Sequence, residues 1–224
     1  MKRRSVYNMK NYYPAYLDLT GKPCLVIGGG NVASRKINSL IKANANITVI
    51  SPGGASELEE LARKQLIRWE RRVYQKGDIN GFFLIIIATS NNELNLEIYK
   101  EVDHLIQLVN IVDSPDLCTF IVPSIFRRGF LQVAISTHGA SPGFSKKIRT
   151  DLEKMYGEEY TDYTTFLAEM REWIFKQDIE EKIRRHYFNY LLEDKWLDNV
   201  TKYGIENAVM DFQKIFKKEI NHIE

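Results

Sequence analysis

The sequence lacks any hydrophobic run long enough to cross a membrane. The longest run, residues 82–88, is far shorter than the roughly 20 residues that a transmembrane helix needs, and the mean hydropathy is −0.31. The first residues, Met1-Lys2-Arg3-Arg4, are not followed by the apolar segment of a secretory signal. We therefore expect a cytoplasmic protein without a membrane partner.

Charge of one sign is not in excess, and cysteine is scarce. The chain has 31 Lys and Arg against 29 Asp and Glu, a net charge of +2, which argues against a surface built to bind nucleic acid. Its cysteines, Cys24 and Cys118, lack metal-ligand spacing and lie in apolar segments. We expect them to be reduced, buried thiols, and we expect no permanent metal site.

Strands and helices alternate in the first half of the chain. The apolar run 23–27 leads into three glycines, and a helical stripe of apolar residues then continues towards Asn44, a residue suited to a left-handed helix end. The pattern predicts further strands at 47–50, 67–70, 82–89 and 108–112, and further helices at 92–102 and at 56–66, where Ser56 and Glu59 form a capping box. This alternation is typical of an α/β fold with a Rossmann-type, doubly wound parallel sheet.

The pattern changes after Asp113. Two β-rich stretches, 119–122 and 131–137, are joined by a connection too short for a βα crossover, which favours antiparallel pairing. Amphipathic helices follow from Ser145. The aromatic residues of these helices favour core and dimer packing over a nucleotide-stacking surface: Trp173, Phe175, Tyr187, Phe188, Tyr190 and Trp196. We expect a Rossmann domain at 1–114, a small β segment at 115–145 and a helical C-terminal domain at 146–224.

The motif Gly28-Gly29-Gly30-Asn31-Val32-Ala33 fits G-x-G-x-x-A between a strand and a helix. Gly28 would permit the tight turn, and Gly30 would let a pyrophosphate approach the backbone. The amides that begin the helix, at Asn31 and Val32, would donate to the phosphates. The motif predicts a dinucleotide site, and the alternative is a merely glycine-rich turn.

The acidic residue that usually follows the second strand and binds the adenosine ribose is absent. Ser51 stands there, followed by Pro52, and no arginine lies immediately beside it in the sequence to receive a 2′-phosphate. Ser51 is suited to a hydrogen bond with a ribose hydroxyl. These residues favour NAD over NADP.

Polar residues follow the fourth and fifth strands, at the sheet edge where such folds bind ligands. Thr89 and Ser90 follow strand four, and Asn110 and Asp113 end strand five. Asp113 is the candidate general base for the proton released during hydride transfer. The alternative is that Asp113 only caps its own turn.

These motifs together resemble the precorrin-2 dehydrogenases, whose module is also found at the N-terminus of bifunctional siroheme synthases. The resemblance covers roughly residues 12–155 and depends on the glycine motif and several shorter segments in the family's order and spacing. The matching segments are residues 13–19, 24–36, 88–91 with Asn95, 109–113, 120–124, 128–129 and 135–142.

The resemblance implies a homodimeric enzyme, with dimerisation assigned to 115–145, that oxidises precorrin-2 with NAD to sirohydrochlorin. Some members also insert Fe²⁺, which this sequence neither requires nor forbids. The family's catalytic aspartate corresponds to Asp113. Its tetrapyrrole cleft corresponds to the segment that contains Ser136, Thr137, His138 and Ser141.

Because the tetrapyrrole carries several carboxylates, cations are expected around its cleft. Arg128 is one candidate, and Lys146, Lys147 and Arg149 are others, although a solvated helix face explains the last three equally well. Two functions of other classes stay open: a non-catalytic NAD-binding sensor and a binding protein of the tetrapyrrole pathway. Replacing Asp113 distinguishes the enzyme from these alternatives, because only an enzyme would lose turnover when Asp113 is replaced.

Overall fold

The computed structural model describes residues 10–220. Contacts between residues divide the chain into two compact units, with the boundary between Val122 and Pro123. The domain limits predicted at residues 114 and 145 stay predictions. Among the helices in the described range, none combines the length and apolar composition that crossing a bilayer requires.

The first unit confirms the predicted alternation of strands and helices. Its strands end within a few residues of the predicted limits, and a 3₁₀ turn, Pro115–Leu117, follows the last strand. In chain order the elements are β1 Pro23–Ile27, α1 Asn31–Ile41, β2 Asn46–Ile50, α2 Ser56–Arg63, β3 Arg68–Glu70, β4 Leu84–Ile87, α3 Asn92–Glu101 and β5 Leu108–Ile111.

The five strands form one parallel sheet in the order β3-β2-β1-β4-β5. The chain runs outward from β1 to β3 and then crosses to β4 on the other side, so the order reverses between β1 and β4. Ile27 at the end of β1 is in register with Ile50 of β2 and Ile87 of β4. A doubly wound sheet opens a ligand crevice at this point, beyond the carboxyl ends of its strands.

Both faces of the sheet are covered, which explains why its strands are apolar throughout. Along β1, Cys24 and Val26 belong to one buried cluster with α1 and α2, whereas Leu25 and Ile27 belong to a second cluster with α3. A strand buried on both faces has no solvent side to hold polar residues. The doubly wound prediction is therefore confirmed by the packing.

Two details of the helices test the sequence interpretation. Asn44 has a positive φ of 54°, which confirms the predicted left-handed residue after α1. The predicted capping box at the start of α2 is wrong. Ala55 occupies the cap position without a side-chain hydrogen bond, and Ser56 is already helical. The acidic Glu57 and Glu59 instead lie in the first turn, where they complement the helix dipole.

The second unit begins with a hairpin of two antiparallel strands, β6 Ser124–Arg128 and β7 Leu131–Ile135. Antiparallel pairing was predicted, but the partner strand was placed wrongly at 119–122. The residues interpreted as a connection form β6, and Gly129 and Phe130 make the turn. Gly129 has φ +51°, and a Cβ there would lie 2.4 Å from Thr164 Oγ1, so glycine is required.

Within the described residues, the hairpin of the second unit is followed by four helices. They are α4 Pro142–Met155, α5 Glu159–Phe175, α6 Glu181–Tyr190 and α7 Asp194–Ile220. Helix α7 is broken at Gly204, whose φ of 82° is not helical. Asn199 Nδ2 donates to Asp211 Oδ2 at 3.0 Å, although these residues would be about 18 Å apart along a straight helix. The chain therefore folds back at Gly204.

Aromatic residues form the core of this helical region, as predicted. Tyr187 and Trp196 are almost completely buried, and Trp196 packs against Phe166 and Phe212 at ring centroid distances of 5.6 and 5.5 Å. Phe175 is an exception because it is 51% exposed. Its ring lies 5.0 Å from the Arg171 guanidinium, so it forms a surface cation–π contact and not core packing.

Both cysteines are free and buried, as the sequence predicted. Burial raises the pKa of the Cys24 thiol to about 11 and also raises that of Cys118. We expect neither thiol of the folded protein to react with Ellman's reagent at neutral pH, and both to react after unfolding in denaturant. Rapid reaction of either thiol in the folded protein would contradict this prediction.

Candidate functional site

The glycine turn after β1 is shaped by contacts with the neighbouring strands. Gly28 has φ +116°, and its amide donates to the Ile50 carbonyl at 2.9 Å. A Cβ at Gly28 would lie 2.3 Å from the Ala88 carbonyl oxygen, at the end of β4. Only glycine fits here, so Gly28 has the turn-forming role that the motif predicted.

Gly29 was not predicted as a site residue, yet its surroundings are equally tight. A Cβ there would lie 2.3 Å from the Gly53 carbonyl oxygen and 2.7 Å from Ser51 Oγ. The Gly29 carbonyl accepts a hydrogen bond from the Ala55 amide at 2.9 Å. The middle glycine therefore holds the turn against the loop after β2, a role that G-x-G-x-x-A leaves unspecified.

Gly30 differs from both because no atom lies within 4 Å of where its Cβ would be. It occupies the cap position of α1, where no side chain caps the helix and no acidic residue lies in the first turn. The first intrahelical bond runs from the Ser34 amide to the Gly30 carbonyl, so the amides of Asn31 and Val32 have no helical acceptor. Space and unpaired helical amides together fit a phosphate group.

A cleft of about 390 Å³ opens beside this turn. It contains predicted residues from the glycine motif, the end of β2 and the end of β4. It also contains residues that the sequence did not indicate, notably Val73 and Tyr74 from the segment after β3. The full lining is Ile27, Gly28, Gly29, Gly30, Ile50, Ser51, Pro52, Gly53, Val73, Tyr74, Ala88, Thr89, Ser90, Asn91 and Leu94.

Ser51 lines the cleft at the end of β2, although it is only 4% exposed. Its Oγ accepts a hydrogen bond from Trp69 Nε1 at 3.0 Å. The hydroxyl hydrogen can still be donated to an acceptor in the cleft, such as a ribose oxygen.

Thr89 is fixed by a buried amide at the edge of the cleft. Its Oγ1 donates to Asn95 Oδ1 at 2.6 Å, and Asn95 Nδ2 donates to the Thr89 carbonyl at 3.2 Å. Asn91 caps α3 by accepting from the Glu93 and Leu94 amides. Ser90, between them, lines the cleft. Asn95, which was not among the predicted site residues, sets the conformation of this loop.

Asn110 is not among the cleft residues. Its Nδ2 donates to the Phe120 carbonyl at 3.1 Å, and the residue is 8% exposed. It thus connects β5 to the segment after the 3₁₀ turn. No signal in the sequence separates this packing role from cofactor binding, because a polar residue near a strand end suits both.

Asp113 lies in a turn just after β5, with a left-handed φ of 61° and an exposed side chain. Within residues 10–220 its carboxylate forms no hydrogen bond or ion pair, so it does not cap the turn. Cys118 holds this turn, because its Sγ accepts from the Ile111 amide at 3.2 Å and lies 3.3 Å from the Ser114 carbonyl oxygen. A rigid turn that presents an unpaired carboxylate suits a proton acceptor.

The predicted tetrapyrrole segment lies in the second unit, between β7 and α4. Ser136 Oγ accepts from the His138 amide at 3.0 Å, and Thr137 Oγ1 accepts from the Ser141 amide at 3.0 Å. Ser141 Oγ caps α4 by accepting from the Phe144 amide at 3.3 Å. The hydroxyls therefore build a compact turn, in which His138 has φ 53°.

Arg128 ends β6 and is largely enclosed. Its guanidinium lies 5.3 Å from the Phe126 ring and forms an ion pair with Glu158 at 3.3 Å. Of the three candidate cations on α4, Lys147 pairs with Asp151 and Arg149 pairs with Glu153, and none of the described ion pairs involves Lys146. In the part of the chain that the structure describes, no group of three or more His, Cys, Asp or Glu side chains could hold a metal ion.

Comparisons with protein families agree with this geometry. Residues 15–124 match a family described as NAD(P)-binding, and residues 128–155 match the central part of sirohaem biosynthesis proteins. The first match includes the glycine turn and every residue of the cleft. The cofactor class is therefore a nicotinamide dinucleotide.

Curated relatives and a solved structure extend the match to most of the chain. The siroheme synthase of Methylococcus capsulatus is 38% identical over 82% of this chain, and the matched part is 39% of that protein. The chain thus spans about two fifths of the length of such siroheme synthases. The precorrin-2 dehydrogenase of Priestia megaterium is 34% identical over 85% of this chain and 94% of that protein.

A solved structure of SirC, a precorrin-2 dehydrogenase, has a TM-score of 0.78 and 30% sequence identity. The match covers 91% of this chain and 100% of the SirC chain. Together with the Priestia protein, this near-complete coverage shows that the chain belongs to the precorrin-2 dehydrogenase family.

Proposed function

We propose that this protein oxidises precorrin-2 to sirohydrochlorin with NAD, in siroheme biosynthesis. The observation that carries the proposal is the start of α1, where Gly30 leaves space beside helical amides that lack acceptors. Two relatives that match over nearly their whole length are precorrin-2 dehydrogenases.

The overall reaction removes one hydride and one proton from the macrocycle. When bound, the nicotinamide supplies the hydride acceptor. Gly28 and Gly30 would place the pyrophosphate at the amides of Asn31 and Val32, while Thr89 and Ser90 would contact the cofactor from the end of β4. Asp113 would take the proton and release it to solvent, since its carboxylate is exposed and unpaired within the described residues.

The lining of the cleft supports NAD over NADP. No lysine or arginine occurs among the described cleft residues, and Ser51 is the polar side chain at the end of β2. A 2′-phosphate would therefore be desolvated without a cation to pair with it, whereas a ribose hydroxyl can accept from Ser51. We expect kcat/KM to be higher with NAD by about tenfold or more.

For the substrate we propose the second unit's turn, with Ser136, Thr137, His138 and Ser141, and with Arg128 as a cation for a carboxylate. Lys146 is a further candidate, because no described ion pair involves it. We also propose that the protein is a cytoplasmic homodimer that dimerises through residues 115–145. The polar turn, with Lys146 in the first part of α4, suits a substrate rich in carboxylates, whereas Arg128 lies at the other end of the hairpin, opposite Leu131.

The test is anaerobic turnover of enzymatically generated precorrin-2 with NAD and with NADP, followed through the absorbance of the reduced nicotinamide. The expected result is NADH formation together with the sirohydrochlorin spectrum. Repeating the assay with Fe²⁺ tests whether siroheme forms faster than the uncatalysed background. Cofactor binding without turnover would overturn the proposed enzymatic function and favour an NAD-binding sensor. Tetrapyrrole binding without turnover or cofactor binding would favour a binding protein of the tetrapyrrole pathway.

A further inference from the structure

The segment after β3, residues 70–78, forms part of the cleft wall although it has no regular secondary structure beyond Glu70. Val73 and Tyr74 line the same cleft as the glycine turn. Val73 is 64% exposed, although its side chain is wholly apolar. When a flat, weakly polar group of a ligand covers such a side chain, apolar surface is removed from water, and this burial favours binding.

One arginine holds this segment in place. Arg72 Nη1 and Nη2 donate to the two carboxylate oxygens of Asp78 at 2.6 and 3.0 Å, and Arg72 Nε donates to Glu70 Oε2 at 3.0 Å. Arg72 Nη1 also donates to the Val73 carbonyl at 3.1 Å. The guanidinium thus joins both ends of the segment to the residue that faces the cleft.

A second anchor holds the tyrosine. Tyr74 Oη donates to Glu101 Oε2 at 3.1 Å, and the Gly77 amide donates to the same oxygen at 2.9 Å. The hydroxyl is therefore directed to Glu101, at the end of α3, while Tyr74 still lines the cleft. Val73 and Tyr74 are held as a preformed wall, so a ligand need not order them when it binds.

The position of this wall in the sheet identifies which part of the dinucleotide it faces. Val73 and Tyr74 line the cleft together with residues 51–53, which follow β2 and lie where such folds bind the adenosine ribose. Asp113, the proposed proton acceptor, follows β5 on the opposite side of the switch point. The pyrophosphate bridges the two sides at Gly30, so the nicotinamide extends towards β5 and the adenosine extends towards β3.

We infer that Val73 and Tyr74 form the contact surface for the adenosine half of the cofactor, and that Arg72 is the positioning residue that holds this surface. This inference rests on the proposed use of NAD in the cleft. It adds a specificity element that no motif in the sequence indicates.

The experiment compares two ligands, NADH and ADP-ribose, which lacks the nicotinamide. Val73→Ser removes apolar contact from an exposed position, so the fold is retained. We expect it to raise the dissociation constants of both ligands by the same factor, about five- to tenfold. Leu105→Ser is the matched control, because Leu105 is 97% exposed and lies outside the cleft.

The role of Arg72 is tested by a double-mutant cycle. Arg72→Met keeps the aliphatic stem and removes the hydrogen bonds, and we expect a similar loss of affinity for both ligands. If Arg72 acts through Val73, the double variant binds as Arg72→Met alone does, within about twofold. Arg185→Met is the control, because Arg185 pairs with Glu181 on α6, in the second unit and outside the cleft lining.

The outcomes separate the inference from the proposed function. Unchanged affinities in Val73→Ser overturn the inference, and so does a loss for NADH without a loss for ADP-ribose, which would place the wall beside the nicotinamide. Additive effects in the double variant overturn the role of Arg72. Wild-type protein that binds neither NADH nor NADPH would overturn the proposed function itself.

Discussion

Replacing Asp113 by Asn is expected to slow precorrin-2-dependent NADH formation by about 10²- to 10⁴-fold, the usual contribution of a general base. Affinity for NADH should be unchanged, because Asp113 does not line the cofactor cleft. Asparagine is preferable to alanine here, since the backbone has φ 61° and Asn tolerates this left-handed conformation far better. The measurement is kcat under anaerobic conditions, with the NADH dissociation constant determined in parallel.

Asp116→Asn provides the control, because Asp116 is an exposed carboxylate in the adjacent 3₁₀ turn. It should retain wild-type turnover. If Asp113→Asn kept more than about a tenth of the wild-type kcat, another group would be the proton acceptor.

Adding one methyl group to the glycine turn should lower the stability of the protein at Gly28 but the affinity for NADH at Gly30. In Gly28→Ala the new Cβ meets the Ala88 carbonyl at 2.3 Å with φ +116°, so we expect a loss of about 2 to 5 kcal/mol in the free energy of unfolding. In Gly30→Ala the methyl meets no protein atom, so stability should hold. The methyl would occupy phosphate space, and NADH affinity should fall about 10- to 100-fold.

Denaturant unfolding and NADH titration of both variants measure these effects. Gly143→Ala, at an open position on α4, is the control: NADH affinity should not change, and the free energy of unfolding should rise by no more than about 1 kcal/mol. A Gly30→Ala protein that binds NADH as tightly as wild type would show that the pyrophosphate does not lie at the start of α1.

The sheet and its turn could be predicted because each strand is apolar on both faces and is followed by a helical stripe. The hairpin could not be placed from the same evidence. Residues 119–122 have the composition of a strand, but Thr119 instead pairs with Val109, its amide donating to the Val109 carbonyl and its Oγ1 accepting from the Val109 amide. A local sequence pattern cannot show that the backbone groups of an edge strand are already hydrogen-bonded to a side-chain hydroxyl and a backbone amide elsewhere in the chain.

The lining of the cleft was predictable where chemistry and position coincide, as at Gly28, Gly30 and Ser51. It was not predictable at Val73 and Tyr74, because they lie in an irregular segment whose shape depends on Arg72, Asp78 and the distant Glu101. Asn110 is the opposite case. Its position at a strand end was predicted correctly, but its side-chain amide donates to the Phe120 carbonyl and does not line the cleft. Long-range hydrogen bonds decide such cases, and one sequence does not reveal them.

The uncapped start of α1 connects cofactor binding to the stability of the folded chain. In the proposed binding mode, the first amides of α1, which have no side-chain partner, would be completed by a phosphate of the cofactor. Any ligand that binds only the folded chain stabilises it, by about 2.7 kcal/mol at a free concentration of one hundred times the dissociation constant. The supply of nicotinamide dinucleotide would thereby set how long each copy of the enzyme survives proteolysis, as well as how fast it works.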